Sequence, residues 1–172
     1  LEENKVKDLY KSVTKEIRST DKKHIIFLEG NVWAQRLEFL GNPKDDNTAY
    51  SIHCYAPLDF THNFGMDTRY PGKFYKIMWN KKMFDSIARA YDDFAKIVRV
   101  PLFLGEFGVN ARGGNYGEGE WVSDILSAAE KFDIGWTYWT YKTVANYAYP
   151  DGIYRYIGNP VWVNRQGPVA GL

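Results

Sequence analysis

The stretch Pro-Leu-Phe-Leu-Gly-Glu-Phe-Gly, residues 101–108, joins a short apolar run to a single carboxylate. Residues 102–104 show no polar alternation, which predicts a strand buried on both faces, as in a parallel sheet. Pro101 suits the first position of such a strand, because that residue need not donate to the sheet. Glu106 follows at the end of the strand, where a charge is costly unless it is paired or functional. These eight residues alone leave both interpretations of Glu106 open.

The composition is that of an ordinary globular protein, with 45% hydrophobic and 25% charged residues in a chain of 172. This length suffices for one domain with a sizeable core. The net charge of +1 gives no electrostatic argument for nucleic acid or an acidic membrane surface, so neither is expected as a partner. Aromatic residues make up 17%, which suggests faces that meet a partly apolar, hydroxyl-rich ligand. Cys54 is the only cysteine, so no intrachain disulfide can form.

Helical and strand patterns alternate along the chain. Strands that alternate with helices imply right-handed crossovers, and therefore a parallel sheet of the α/β class. Apolar stripes at helical spacing predict helices over residues 6–17, 84–98 and 121–132, and apolar runs predict strands over residues 24–28, 49–55, 102–104 and 134–141.

Three other segments have the composition of loops. Residues 56–72 hold aromatics and two prolines, and loops of this length are often binding loops. Residues 113–119 are rich in glycine but lack the Lys-Ser/Thr of a phosphate loop, which predicts a flexible rim loop. Residues 146–172 are rich in Gly, Pro and Tyr and show no helical stripe.

The candidate functional residues all stand where a predicted strand ends. They are Glu29, His53, Tyr55, Glu106 and Trp139. His53 and Tyr55 are two residues apart, so their side chains point to the same side of their strand. In a (β/α) barrel the carboxyl ends of all strands share one face, and that face carries the active site. The coincidence therefore favours a functional role for Glu106.

The ordered strand ends resemble those of the family 5 glycoside hydrolases of the cellulase (endoglucanase) kind. His53-x-Tyr55, Gly-Glu-Phe-Gly at 105–108 and Trp-Thr-Tyr-Trp at 136–139 match successive strands, and Phe-Thr-His at 60–62 also resembles the cellulase members. The family implies a TIM (β/α)8 barrel and a retaining glycosidase. Retention uses two carboxyl groups about 5–5.5 Å apart, one a nucleophile and the other an acid and base.

The resemblance assigns roles residue by residue. Glu106 matches the nucleophile, Tyr55 the tyrosine that holds that carboxylate, and His53 the histidine of the same strand. Trp139 matches the tryptophan that floors the subsite where the bond breaks. No cofactor is implied.

The family's acid/base glutamate sits in an Asn-Glu-Pro motif that these 172 residues lack. We therefore expect residues 1–172 to be a partial catalytic domain: about four βα units forming the C-terminal half of the barrel, with the upstream half absent. Either that missing half or self-association should complete the barrel, because an open sheet leaves two unpaired edges.

Four more residues are candidates for binding substrate. Glu29 ends a strand, but its neighbours differ from Asn and Pro, so we interpret it as a substrate-binding or structural residue. Trp33 and Trp136 offer ring faces to a sugar, and for Trp33 covering the barrel rim is an equally good interpretation. We interpret His62 as a loop residue or a contact in a substrate subsite. A metal site is not predicted there, because no second ligand stands at suitable spacing.

Two functions remain open at this point. The first is part of a retaining β-glycanase that acts on β-1,4-glucan, with mannan, xyloglucan and mixed-linkage glucan as other substrates. The second is a non-catalytic carbohydrate-binding or structural half barrel, which the absent Asn-Glu-Pro favours for this chain alone. The family resemblance also leads us to expect a secreted protein.

Overall fold

The computed structural model describes residues 2–64, 68–110 and 116–140, and the backbone of 142–143 and 154–155. Long helices alternate with strands, and shorter elements fill the connections. In chain order the elements are α1 (Glu3–Thr20), β1 (Ile26–Glu29), α2 (Asn31–Ala34), a 3-10 turn (Glu38–Leu40), β2 (Thr48–Cys54), α3 (Leu58–Thr61), β3 (Gly72–Phe74), β4 (Ile77–Trp79), α4 (Lys81–Val98), β5 (Leu102–Phe107), α5 (Glu118–Lys131), β6 (Gly135–Trp136), β7 (Lys142–Thr143) and β8 (Tyr154–Arg155).

The main sheet has four strands in the order β1-β2-β5-β6, and every neighbouring pair is parallel. Its strands therefore lie side by side in chain order, with α4 between β2 and β5 and α5 between β5 and β6. This confirms the predicted parallel α/β sheet and fits a partial (β/α) barrel of about four units. The sheet's hydrogen bonds orient all four carboxyl ends toward one edge.

An aromatic core lies between the sheet and the helices α4 and α5. Phe84 of α4, Phe107 of β5 and Trp121 of α5 are almost completely buried, and Phe84 and Trp121 meet edge to face with ring centroids 5.7 Å apart. Such pairs contribute about 0.5–1.5 kcal/mol beyond their burial. Asn80 caps α4 by accepting hydrogen bonds from the backbone N–H groups of Lys82 and Met83, as N-cap residues do.

The opposite face of the sheet is more open. Phe27 of β1 and Phe103 of β5 pack there with ring centroids 4.9 Å apart, yet Phe27 is 48% exposed. Among the described residues, β1 pairs only with β2 and β6 only with β5, so both outer strands have a free edge. The described part of the chain thus forms an open sheet with a helix-covered face and an exposed face.

The connection between β2 and α4 differs from the sequence prediction. The predicted loop over residues 56–72 contains the one-turn helix α3, and the hairpin β3–β4 follows it. The hairpin turn consists of Tyr75 and Lys76, both with positive φ. Turns of this kind normally carry Asn-Gly or Asp-Gly, so the sequence gives no turn signal here.

The last predicted strand is shorter than expected. Within residues 134–140, which the structure describes, only Gly135–Trp136 is a strand, although the backbone N–H groups of Thr137 and Trp139 still donate to carbonyls of β5. Residues 113–115 of the predicted rim loop lie outside the described residues. So does the segment 146–172, apart from the backbone of β8.

Candidate functional site

Glu106 reaches the open face through an irregularity in the pairing of β2 and β5. Ile52 lies opposite Leu104, but His53 lies opposite Glu106, so Gly105 is an extra residue in β5. A bulge of this kind re-aims the side chains that follow it. Glu106 therefore shares the face of His53, while Phe107 turns into the helix-covered core, where it is fully buried.

Two side chains from β2 and its extension contact the Glu106 carboxylate. The Tyr55 hydroxyl donates a hydrogen bond of 2.9 Å to Glu106 Oε2. His53 Nδ1 lies 3.5 Å from the same oxygen. The Glu106 side chain keeps 32% of its surface exposed, so the carboxylate is held on one side and open to solvent on the other.

Tyr55 is fixed from several directions. Thr61 Oγ1 donates to its carbonyl at 2.5 Å, and the His62 ring packs edge-on against its ring at 5.3 Å between centroids. Burial raises the pKa of Tyr55 well above its usual value. The hydrogen bond to Glu106 and the charge of Glu106 raise this pKa further. The phenol therefore stays protonated, and able to donate, through the neutral range. Burial also lowers the pKa of His62, which favours its neutral form.

Glu29, at the end of β1, contacts His53 and is linked to Glu106 through the His53 ring. His53 Nε2 lies 3.0 Å from Glu29 Oε1, and the Ser51 hydroxyl donates to that oxygen at 3.1 Å. The imidazole thus stands between two carboxylates, with one nitrogen toward Glu29 and the other toward Glu106. Its side chain is only 14% exposed.

Gly105 provides space for this arrangement. A Cβ atom on Gly105 would lie 2.4 Å from Ser51 Oγ and 3.7 Å from His53 Cδ2. The first distance is far inside van der Waals contact, so any larger residue would displace the Ser51 hydroxyl. Ser51 and Gly105 were not among the predicted site residues, although the alternation Ser51-His53-Tyr55 already places Ser51 on the same face.

The three candidate tryptophans lie in different places. The backbone N–H of Trp139 donates to the Phe107 carbonyl at 2.9 Å, next to Glu106. Trp139 is 45% exposed. Trp136 pairs in register with Leu104 and packs edge-to-face on Phe107, which puts it on the helix-covered face. The structure therefore places Trp136 on the other face of the sheet from Glu106 and His53.

Trp33 follows the end of β1 in an unusual backbone turn. Val32, Trp33 and Ala34 have φ of 55°, 51° and 60°, a region that costs energy for residues other than glycine. The turn displays the Trp33 side chain with 82% of its surface exposed. This placement fits both interpretations of Trp33, as a ring face for a sugar and as a cover of the barrel rim.

Metal sites, membrane spans and cavities are the other features of the described residues that bear on function. In residues 2–64, 68–110 and 116–140, no cluster of His, Cys, Asp and Glu has the makings of a metal site. Over the same part of the chain, no helix is both long enough and apolar enough to cross a membrane. A cavity of about 420 Å³ lies between α1 and the segment before β2. It is not lined by Glu106 or by the side chains linked to it, Tyr55, His53 and Glu29.

Comparison with known proteins gives one consistent family. The family model described as "Cellulase (glycosyl hydrolase family 5)" matches residues 2–144. Endoglucanase C of Acetivibrio thermocellus is 26% identical over 74% of this chain and 46% of its own length.

Solved structures agree. The endoglucanase Cel5A of Thermotoga maritima is 27% identical with a TM-score of 0.72, over 90% of this chain and 50% of its own. The same enzyme in complex with mannotriose gives a TM-score of 0.71 at 26% identity, with the same coverage. The chain thus spans about half the length of the relatives it matches. The family match and the parallel sheet together place this chain in the cellulase family, glycosyl hydrolase family 5.

Proposed function

We propose that Glu106 is the nucleophile of a retaining β-glycanase, with β-1,4-linked glucan as its substrate. The observation that carries this proposal is the 2.9 Å hydrogen bond from Tyr55 to Glu106 Oε2 at the carboxyl edge of the sheet. An attacking carboxylate must be ionised and oriented, and a neutral donor on one oxygen serves both needs. Because Tyr55 and His53 both approach Oε2, Oε1 is the oxygen that would attack.

The reaction would proceed through a covalent ester. Glu106 Oε1 attacks the anomeric carbon, and the bond from that carbon to the glycosidic oxygen breaks. The oxygen leaves with the electron pair and takes a proton from the general acid. Water then attacks the anomeric carbon, the ester bond breaks, the Glu106 carboxylate is restored and the water's proton returns to the second carboxylate.

We propose that this second carboxylate comes from outside the 172 residues. The chain contains no Asn-Glu-Pro. Glu29 is a poor substitute, because its Oε1 accepts a hydrogen bond from Ser51 and contacts His53 Nε2 at 3.0 Å, so its carboxyl group is held by β2, whereas a general acid must reach the glycosidic oxygen. The free edges of β1 and β6 among the described residues fit a barrel completed by further strands, either from the other half barrel or from a second copy.

Light scattering of the purified chain tests that part of the proposal. Dimers, or a complex with a partner fragment, are expected, because open sheet edges and an exposed apolar face invite association. A monodisperse monomer without a partner chain would contradict it.

The relatives support glucan as the leading substrate. The similar proteins include endoglucanases, and the Thermotoga enzyme was solved with mannotriose, so mannan is the next option. Xyloglucan and mixed-linkage glucan are further options. A polymeric substrate of this kind also supports secretion, since a polysaccharide must be cut before it can enter a cell.

A second function has one observation in its favour. Trp33 and Trp139 are exposed residues that follow the carboxyl ends of β1 and β6, and stacking on a sugar needs no acid catalyst. A non-catalytic carbohydrate-binding half barrel would therefore also use this face.

An activated substrate separates the two functions. Dinitrophenyl 2-deoxy-2-fluoro-β-cellobioside has a leaving group that needs no proton, so Glu106 alone can form the ester. We expect a burst of about one dinitrophenolate per chain, absent in Glu106→Gln and unchanged in the control Glu130→Gln, whose side chain is exposed on α5. Binding of cello-oligosaccharides by tryptophan fluorescence without any burst would support the second function and overturn the first. A burst that survives in Glu106→Gln would also overturn it.

A further inference from the structure

We propose that Glu29 is a positioning residue that acts on the nucleophile through His53, an inference that rests on the proposed role of Glu106. Three strands contribute to the arrangement: β1 supplies Glu29, β2 supplies Ser51 and His53, and β5 supplies Glu106. Glu29 Oε1 lies 3.0 Å from His53 Nε2, and His53 Nδ1 lies 3.5 Å from Glu106 Oε2. The two glutamates therefore contact opposite nitrogens of one ring.

The proton on the ring follows from the chemistry of these groups. An ionised carboxylate only accepts hydrogen bonds, so the contact with Glu29 requires a proton on His53 Nε2. In the neutral tautomer that the proposal assigns to His53, this is the one ring proton, and Nδ1 turns a lone pair toward Glu106. Its 3.5 Å separation from Oε2 is longer than an ordinary hydrogen bond. Tyr55 then remains the donor to the nucleophile.

Without Glu29, the ring is free to carry its proton on Nδ1. It would then donate to Glu106 Oε2 and compete with Tyr55, drawing the carboxylate out of the orientation that the Tyr55 bond gives it. Glu29 thus selects the ring tautomer as well as the ring orientation. A carboxylate that fixes a histidine in this way is familiar from catalytic triads, where losing it leaves the wrong tautomer.

The surroundings hold Glu29 in this role. The Ser51 hydroxyl donates to the same Oε1 at 3.1 Å, so two neighbouring side chains of β2 fix that oxygen. Glu29 and Ser51 are register partners in the β1–β2 pairing, which gives the side chains a common direction. Gly105 provides the room in which the Ser51 hydroxyl lies.

The test combines burst kinetics with the protonation state of the ring. For Glu29→Ala we expect the limiting rate constant of the burst to fall about 10- to 100-fold, the range typical for losing a carboxylate that orients a histidine at metal sites. The concentration of fluoro-cellobioside at half-maximal rate should change little. Glu29→Gln keeps an oxygen that can accept from Nε2, so it should retain most of the rate. Glu16→Gln, which removes an exposed carboxylate from α1, is the matched control.

Nitrogen-15 NMR of the histidine side chains gives a readout that a merely structural role would not move. His53, assigned by its loss in His53→Gln, should carry its proton on Nε2 in the wild type and in Glu29→Gln. In Glu29→Ala a substantial fraction should carry it on Nδ1.

Each contrary result has a distinct meaning. A wild-type ring protonated on Nδ1 alone overturns the inference even if Glu29→Ala fails to fold. A normal burst in the wild type with an unchanged rate constant in Glu29→Ala also overturns it and leaves the function of Glu106 intact. An effect confined to the half-maximal concentration would make Glu29 a substrate-binding residue. Absence of any wild-type burst refutes the proposed function, whereas the NMR measurement still tests the pairing of Glu29 with His53.

Discussion

Replacing Tyr55 by Phe removes one hydroxyl and keeps the ring. The hydroxyl donates to Glu106 Oε2 at 2.9 Å, and the ring packs against His62. Phenylalanine preserves the ring contact, so the substitution isolates the hydrogen bond. Without that bond, the carboxylate can rotate into orientations in which neither oxygen faces the anomeric carbon.

The magnitude follows from the strength of the bond and its exposure. Hydrogen bonds to charged groups contribute about 1.5–3 kcal/mol. The Glu106 side chain is 32% exposed, so water can replace part of the lost interaction and the lower end applies. About 1.5 kcal/mol corresponds to a roughly tenfold smaller population of the oriented carboxylate. We therefore expect the limiting burst rate constant to fall about tenfold, well short of the complete loss in Glu106→Gln.

Stopped-flow measurement of dinitrophenolate release at saturating fluoro-cellobioside gives this rate constant directly. Tyr91→Phe is the matched control, since its hydroxyl donates at 2.7 Å to the Gln35 carbonyl, away from Glu106. It makes the same chemical change and should leave the burst unaltered. An unchanged or faster burst in Tyr55→Phe would refute the orienting role of the hydroxyl. A loss as complete as in Glu106→Gln would show that Tyr55 does more than orient the carboxylate.

Three further predictions concern stability. Gly105→Ala should lower the free energy of unfolding by about 1–3 kcal/mol, through the clash with Ser51 Oγ, and the added substitution Ser51→Ala should restore most of it in urea titrations. Burial raises the pKa of Tyr91 to about 12, so the stability it contributes is complete below about pH 10 and lost as the pH rises toward 12; Tyr91→Phe should flatten the alkaline fall in unfolding midpoint. The hydrogen bond from Arg18 lowers the pKa of Asp45, so its stabilisation is present above about pH 4 and lost on further acidification, and Asp45→Asn should reduce that acid sensitivity in thermal melts.

The sheet and the contact between Tyr55 and Glu106 could be predicted because they rest on local patterns. Alternation along β2 puts His53 and Tyr55 on one side, and the parallel sheet brings their strand end beside that of β5. The contact between Tyr55 and Glu106 follows from those two facts and confirms that the strand ends converge. The roles assigned to these residues stay predictions until the burst is measured.

The partners of Glu29 could not be predicted because they depend on register between distant segments. Ser51 and His53 lie 22 and 24 residues from Glu29 in sequence, and the pairing register that joins them leaves no local pattern. The bulge at Gly105 also depends on the pairing of distant segments. One extra residue in β5 decides which of its side chains share a face with His53. The face of the sheet that Trp136 occupies could not be predicted either, because the run Trp-Thr-Tyr-Trp has no polar alternation to orient it.

Backbone conformation explains the other differences. The turn around Trp33 and the hairpin turn before Ile77 both use positive φ at residues other than glycine. Sequence signals for such conformations are Gly, Asn and Asp, and neither turn carries one at these positions. Tertiary packing, rather than local preference, must therefore select both turns.

Mass spectrometry of the chain after the burst tests the central claim most directly. If Glu106 is the nucleophile, the intact mass should increase by one fluoro-cellobiosyl group, and peptide fragmentation should locate that group on Glu106. The ester should be absent from Glu106→Gln and present in Glu130→Gln. A sugar located on Glu29 or on any other residue, or dinitrophenolate release without a covalent adduct, would contradict the assignment of Glu106 as the nucleophile.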